Sequence, residues 1–166
     1  MADVKEKFGT ATAFTKTNAN LATSATAGWM SNAIDNSTNL YLDALVTIEL
    51  AAVNTAPANS KAIFLYAYAL IDTAGSAYTS SGDTVPSGSE GTLTFPDITA
   101  NAIPMPLLGV VPYATQNKAN NGGPFSVARC FGGVLPPKWG VAMINHSGMT
   151  LSVTNIKYIE VYNTVT

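Results

Sequence analysis

Charge is scarce in this chain: Asp, Glu, Lys and Arg make up 11% of its 166 residues, against about 25% in an average soluble domain. Ala, Thr, Ser and Asn take their place, so the expected surface is polar but nearly uncharged. The eight basic residues are spread from Lys5 to Lys157 and the net charge is −2. No basic stripe exists that would release counterions from a phosphate backbone, and nucleic-acid binding is not expected. So small a net charge also gives little self-repulsion, which suits a protein held in a dense assembly better than one free at high concentration.

Cysteine and histidine are represented once each, by Cys130 and His146. One cysteine excludes an intrachain disulfide, and one of each excludes a zinc site of the Cys/His type. Neither is needed for folding, because a domain of this length buries most of its unfolded surface. Cys130 lies in Pro124-Phe-Ser-Val-Ala-Arg-Cys-Phe131 and is expected to be a small buried hydrophobe. Long apolar runs are missing too. The longest, residues 62–71, is about half of what a membrane helix needs, and no second run of its kind exists to build a barrel. The N-terminal MADVKEKFGTATAF has neither the basic start nor the apolar stretch of a secretory signal. A soluble protein made in the cytoplasm is expected, in which the sequons at Asn36 and Asn145 have no role.

Residues for catalysis are correspondingly few. His146 falls in an expected turn with no nucleophile elbow to serve. Among the carboxylates Asp35, Asp43, Glu49, Asp72, Asp83, Glu90, Asp97 and Glu160, the pair Asp43 and Glu49 shares one strand face. Six residues of strand set the two roughly 20 Å apart, beyond the 5–10 Å of a glycosidase pair. Asp72, Asp83 and Glu90 carry oxygen ligands but lack the dense spacing of a calcium loop. Gly122-Gly123 and Gly132-Gly133 flank a strand and open no helix, so they form no phosphate cradle. Trp29 and Trp139 begin expected strands and are read as core; Tyr41 and Tyr78 are better placed to stack on a sugar. No catalytic, cofactor-binding or metal site is expected, and the role is expected to be non-enzymatic.

What the chain does have is strand pattern. In residues 40–50, Leu40, Leu42, Ala44, Val46, Ile48 and Leu50 alternate with Tyr41, Asp43, Leu45, Thr47 and Glu49, a period of two with one wet face. Residues 62–71 are apolar on both faces, as in a central strand or one whose outer face another chain covers. These two runs are expected to form a hairpin with a long loop. Further runs at 29–34, 92–95, 105–113, 125–131, 139–145 and 155–162 bring the total to about eight, separated by Gly, Pro, Ser and Asn. The chain is therefore read as all-β: a single jelly-roll-like β-sandwich over residues 28–166. Residues 1–27, rich in Ala, Thr, Asn and Ser with only Phe8, Phe14 and Leu21 as large apolar side chains, form an extended N-terminal arm, ordered only against a partner or the body of the domain. Loops 72–91 and 114–123 are the first candidates for partner contact.

Two stretches carry a resemblance. WMSNAIDNSTNLYLDALVTIEL, residues 29–50, runs from a short strand through Ile34-Asp-Asn-Ser-Thr-Asn39 into a long alternating strand. VLPPKWGVAMINHSGMTLSVTNIKYIEVYNTVT, residues 134–166, leads from Leu-Pro-Pro through Trp-Gly, a strand and an Asn-x-Ser-Gly turn to a final strand. The chain thereby resembles a family of small tailed-bacteriophage structural proteins that decorate the capsid or otherwise attach to the virion. The resemblance implies a jelly-roll-like domain on the capsid surface that binds the major capsid protein lattice, often as a homotrimer, and reinforces the shell without catalytic residues. The long 72–91 loop and the N-terminal arm depart from the family pattern. A tail-associated adhesin or carbohydrate-binding module of the same fold is the competing expectation.

Overall fold

The computed structural model describes residues 3–17, 20–51, 56, 62–70, 85–96, 103–112 and 117–165. The strands are β1 (Val4–Phe8), β2 (Thr12–Ala13), β3 (Asn20–Leu21), β4 (Ala27–Met30), β5 (Ile34–Asp35), β6 (Asp43–Leu50), β7 (Ala62–Leu70), β8 (Gly91–Thr94), β9 (Leu107–Pro112), β10 (Asn120–Ser126), β11 (Lys138–His146) and β12 (Leu151–Val165), with a 3-10 turn at Ala128–Phe131. The chain is all-β, and these strands form two antiparallel sheets. The first has the order β1-β12-β6-β10, with β2 and β3 also on β12; the second has the order β8-β4-β11-β7-β9, with β5 on β11.

The two sheets share one core. Alternate residues of β6 (Ala44, Val46, Ile48, Leu50) and of β12 (Ile156, Tyr158) meet Ile63, Leu65 and Ala67 of β7 and Trp139, Val141 and Met143 of β11. Trp139, 1% exposed, is held edge-on by Phe14 and Tyr158 at centroid distances of 5.9 and 5.4 Å. Pro136 and Pro137 cannot donate to a ladder, and β11 begins directly after them at Lys138.

Both faces of β7 are packed by side chains of this chain. One face of β7 lines the shared core; the other holds Tyr66, Tyr68 and Leu70, which pack with Ala142, Ile144, Met30, Leu93, Phe95 and Met105. Phe95, Ile103 and Met105, from the connection between β8 and β9, supply the cover that the sequence left open to a second chain. Gly28 and Gly140 make this packing close: a Cβ on Gly28 would lie 2.4 Å from the Met143 carbonyl oxygen, and one on Gly140 would lie 2.3 Å from the Tyr68 ring.

Three expectations need correction. β6 and β7 do not form a hairpin: β6 pairs with β12 and β10, β7 with β11 and β9, so the chain crosses between sheets there. The alternation of residues 40–50 becomes strand only at Asp43, because Leu40 has a left-handed φ of 51° and its side chain faces outward with that of Leu42. The run 125–131 is strand only to Ser126; Val127 donates to the Ala44 carbonyl and the chain then turns, closed by Gly132 at φ 74°. The missing length of β10 lies upstream, in Asn120-Asn-Gly-Gly-Pro124, where the register shifts between Gly122 and Phe125. There Gly123 is indispensable, since φ is 102° and a Cβ would sit 2.4 Å from the Val46 carbonyl oxygen.

Residues 1–27, expected as an arm, lie against the body wherever they are described. Val4–Phe8 pairs with residues 161–165, Thr12–Ala13 with 157–158 and Asn20–Leu21 with 151–152. Together they form one interrupted edge strand along β12. Phe14 and Leu21, 5% and 8% exposed, anchor it in the core.

Candidate docking surface

The expected acid and base groups are dispersed, each with its own neighbour. Asp35 accepts hydrogen bonds from the Ser37 amide and hydroxyl at 2.8 and 2.6 Å, which hold its carboxyl below the usual range, and it faces Lys138 at 3.9 Å. Asp43 accepts from the amides of Ala44 and Ala128 at 2.7 and 2.8 Å and so anchors the 3-10 turn. Glu49 pairs with Lys157 at 3.4 Å. Glu160 lies beside Gly9. His146 ends β11, opposite Ala62, one residue before the turn expected to contain it. Cys130 is half-buried in the 3-10 turn, its thiol pushed up by burial. Among the described residues no group of three His, Cys, Asp or Glu side chains is placed to hold a metal ion, and no helix is long and apolar enough to cross a membrane. Asp72, Asp83, Asp97 and Tyr78 lie outside the described residues, as do parts of the 72–91 and 114–123 loops.

Of the aromatic candidates, Trp29 and Trp139 are 5% and 1% exposed and offer no open ring face. Tyr41 is partly buried, with its ring 5.7 Å from that of Tyr162. The sequons are closed as well: Asn36 and Asn145 are 4% and 0% exposed and both are engaged in hydrogen bonds.

Trp29 helps to line a small cleft of about 220 Å³ with Lys16, Asn20, Ser24 and Thr92. Beside it the indole N–H donates to Glu90 at 2.6 Å, and the Thr17 amide donates to the same carboxylate at 3.2 Å. The Thr17 and Trp29 hydrogen bonds hold the Glu90 carboxyl below its usual range. A depressed folded-state pKa means that the contact is fully present above the ordinary carboxylate range and is lost as pH falls through the folded value. Acid titration is therefore expected to shift Trp29 fluorescence below the ordinary Glu range, and Glu90→Gln to abolish that titration. A titration unchanged in Glu90→Gln would refute the assignment.

A second cleft, of about 300 Å³, is lined by Asn36, Leu40, Tyr41, Leu42, Val134 and Leu135. Its floor is built by Asn36. The Asn36 amide donates to the Pro137 carbonyl at 2.7 Å, its side-chain oxygen accepts from the Tyr41 amide at 2.8 Å, its side-chain N–H donates to the Tyr41 carbonyl at 3.2 Å, and its own carbonyl accepts from the Leu40 amide at 3.0 Å. This clamp closes residues 36–41 into a compact loop. On the other wall Gly132 and Gly133, with φ of 74° and 90°, turn the chain outward so that Val134 projects.

The walls are apolar and open. Leu40, Leu42 and Val134 are 72%, 46% and 69% exposed. Leu40 combines that exposure with a left-handed backbone, which costs an L-residue with a bulky side chain roughly 1–2 kcal/mol. An exposed leucine in that conformation contributes nothing to the core, and strain of this kind is characteristic of functional surfaces. The alternation of residues 40–50 hid it, because Leu40 and Leu42 fit the apolar register of β6. No family model, curated protein or solved structure matches this chain.

Proposed function

We propose that this protein is a non-enzymatic virion structural protein, a capsid decoration protein whose Leu40–Val134 cleft docks on the major capsid protein lattice and reinforces the shell. The observation that carries the proposal is where the two resembling stretches meet. Leu40, Tyr41 and Leu42 come from the first stretch and Val134 and Leu135 from the second, and the two are joined by the pairing of Ile34 and Asp35 with Trp139 and Lys138. The turns that carry the resemblance thus build one exposed apolar surface. Charge is too scarce to supply affinity, so apolar burial and main-chain hydrogen bonds would have to do so.

The strand pairing supports a jelly roll as the finer description. Taking β1, β4, β6, β7, β9, β10, β11 and β12 in order, the first pairs with the last, the second with the seventh, the third with the sixth and the fourth with the fifth. Successive pairs alternate between the two sheets, as when one long antiparallel ribbon is rolled up. That fold serves capsid proteins and lectins alike, so it does not choose between them. The proposal includes the homotrimer that the resemblance implies, formed through surfaces other than the outer face of β7, which this chain covers itself.

Leu40→Gly separates docking from stability. Removing the left-handed strain is expected to stabilise the free protein by about 0.5–1 kcal/mol after the entropy cost of glycine, while retention on purified capsids falls at least about tenfold. Capsid retention is read by co-sedimentation and stability by thermal melting. Retention equal to that of the unchanged protein, or wild-type binding to a glycan panel without capsid retention, would refute the docking role; the second result would favour the adhesin.

A further inference from the structure

Across β12 from the cleft, the first sheet ends in an open edge. Beyond the Val161–Asp43 pair β6 stops, and residues 162–165 of β12 pair only with β1. All five residues of β1 are exposed, and among the described residues no strand takes its other edge. A two-stranded ribbon of this length is marginal by itself; its outer edge has neither proline nor bulge, and the charges of Lys5, Glu6 and Lys7 are what guard it against indiscriminate pairing.

β1 reads Val4-Lys5-Glu6-Lys7-Phe8. Val4 and Phe8, 65% and 55% exposed, share a face with their pair partners Val165, 69% exposed, and Val161. Lys5, Glu6 and Lys7 make no ion pair among the described residues. The charges decide which strand can join. In a closed two-fold dimer the faces of the joined sheet must stay continuous, so each β1 residue lies opposite a residue of like parity in the second copy. Every such register that pairs three or more residues of β1 sets lysine against lysine: Lys5 against Lys7 with Glu6 against itself, or Lys5 or Lys7 against itself. Like charges directly opposite repel, so the sequence of this edge acts against a second copy of itself.

We infer that β1 accepts an extended segment of a different protein with the reciprocal pattern apolar–acid–base–acid–apolar, adding it to the sheet as a further strand. Main-chain hydrogen bonds would supply the affinity and the reciprocal charges the selectivity. Carboxylates would face Lys5 and Lys7, a basic side chain would face Glu6, and the apolar ends would continue the rows of Val4 and Phe8. The pattern is palindromic and suits either strand direction. This inference rests on the edge of β1 and not on the virion proposal, and the cleft adjoins that edge only through β12, where Leu42 donates to the Val161 carbonyl and the Tyr41 ring packs on Tyr162.

The test is an NMR titration of the full chain with two synthetic peptides, Thr-Val-Glu-Lys-Glu-Val-Thr and its charge-reversed counterpart Thr-Val-Lys-Glu-Lys-Val-Thr. The first is expected to shift and protect amides of residues 4–8 and 161–165, with an affinity at least about tenfold above that of the second. The triple variant Lys5→Glu/Glu6→Lys/Lys7→Glu, exposed throughout, should invert the preference. Equal affinity for both peptides, no binding by either, shifts confined to other strands, or concentration-dependent dimerisation through β1 would each overturn the inference.

Discussion

Trp139→Ala is expected to cost about 3–5 kcal/mol of folding stability, the range for deleting a fully buried large aromatic. The ring is 1% exposed and touches what would otherwise be separate parts of the fold. It comes from the second sheet, Tyr158 from the first, and Phe14 from the connection between β2 and β3, and the three rings pack within 6 Å of one another. The cavity left behind would open at the centre of the shared core, where the surrounding strands cannot collapse without leaving their ladders. For a chain of this length the melting temperature should fall on the order of 10 °C, and the edge strand containing Phe14 should become the first segment cut by protease. Trp139→Phe, which keeps an aromatic ring in the site, should lose less than half as much. An unchanged melting temperature in Trp139→Ala would mean that the ring is not a core element.

The burial of Trp139 was legible because local and global signals agree: two prolines set the entry to the strand and an apolar run follows. The same holds for the buried half of β6, whose alternation survives in the fold as half-buried and buried residues in turn. Sequence and structure part where an edge is involved. Asn120-Asn-Gly-Gly-Pro124 looks like loop, yet it is strand, because β10 has β6 on one side only and an edge with a bulge tolerates glycine and proline. The N-terminal residues have too few large side chains to fold alone, yet they pair along β12, whose backbone groups are satisfied by whatever sequence lies beside them. Composition reports what a segment can bury, not what a neighbouring strand can offer it. The candidate cleft was invisible for a third reason: Leu40 and Leu42 match the strand period, and only the positive φ of Leu40 and the clamp by Asn36 turn them outward.

Asn145→Ala is expected to be nearly as damaging as the loss of Trp139, through polar groups and not through volume. Asn145 is fully buried. Its side-chain N–H groups donate to the carbonyls of Leu21 and Met149 at 2.8 and 2.7 Å, and its side-chain oxygen accepts from the Ser147 amide at 3.0 Å. The side chain therefore ties the edge strand of residues 20–21 to the turn between β11 and β12. Alanine would leave buried partners without these bonds, each worth roughly 1–3 kcal/mol when unsatisfied, and a net loss of about 3 kcal/mol is expected after water relieves some of them. Asn145→Asp tests the same geometry by charge. It keeps an acceptor for Ser147 but points a carboxylate at two carbonyl oxygens in a fully buried position, so at neutral pH it should be less stable than Asn145→Ala. Burial and the carbonyls favour the neutral form of the new carboxyl in the folded state, placing its folded pKa above the unfolded value of about 3.9. As pH rises from below that value the unfolded chain releases its proton first, so the stability of Asn145→Asp falls through this window and levels off above the folded pKa. Below it, the protonated carboxyl can donate to one of the two carbonyls and part of the loss is recovered. Urea denaturation of both variants across a pH series measures this directly. Losses under about 1 kcal/mol in both, or a pH dependence in Asn145→Asp no steeper than in Asn145→Ala, would show that the side chain does not bridge these strands.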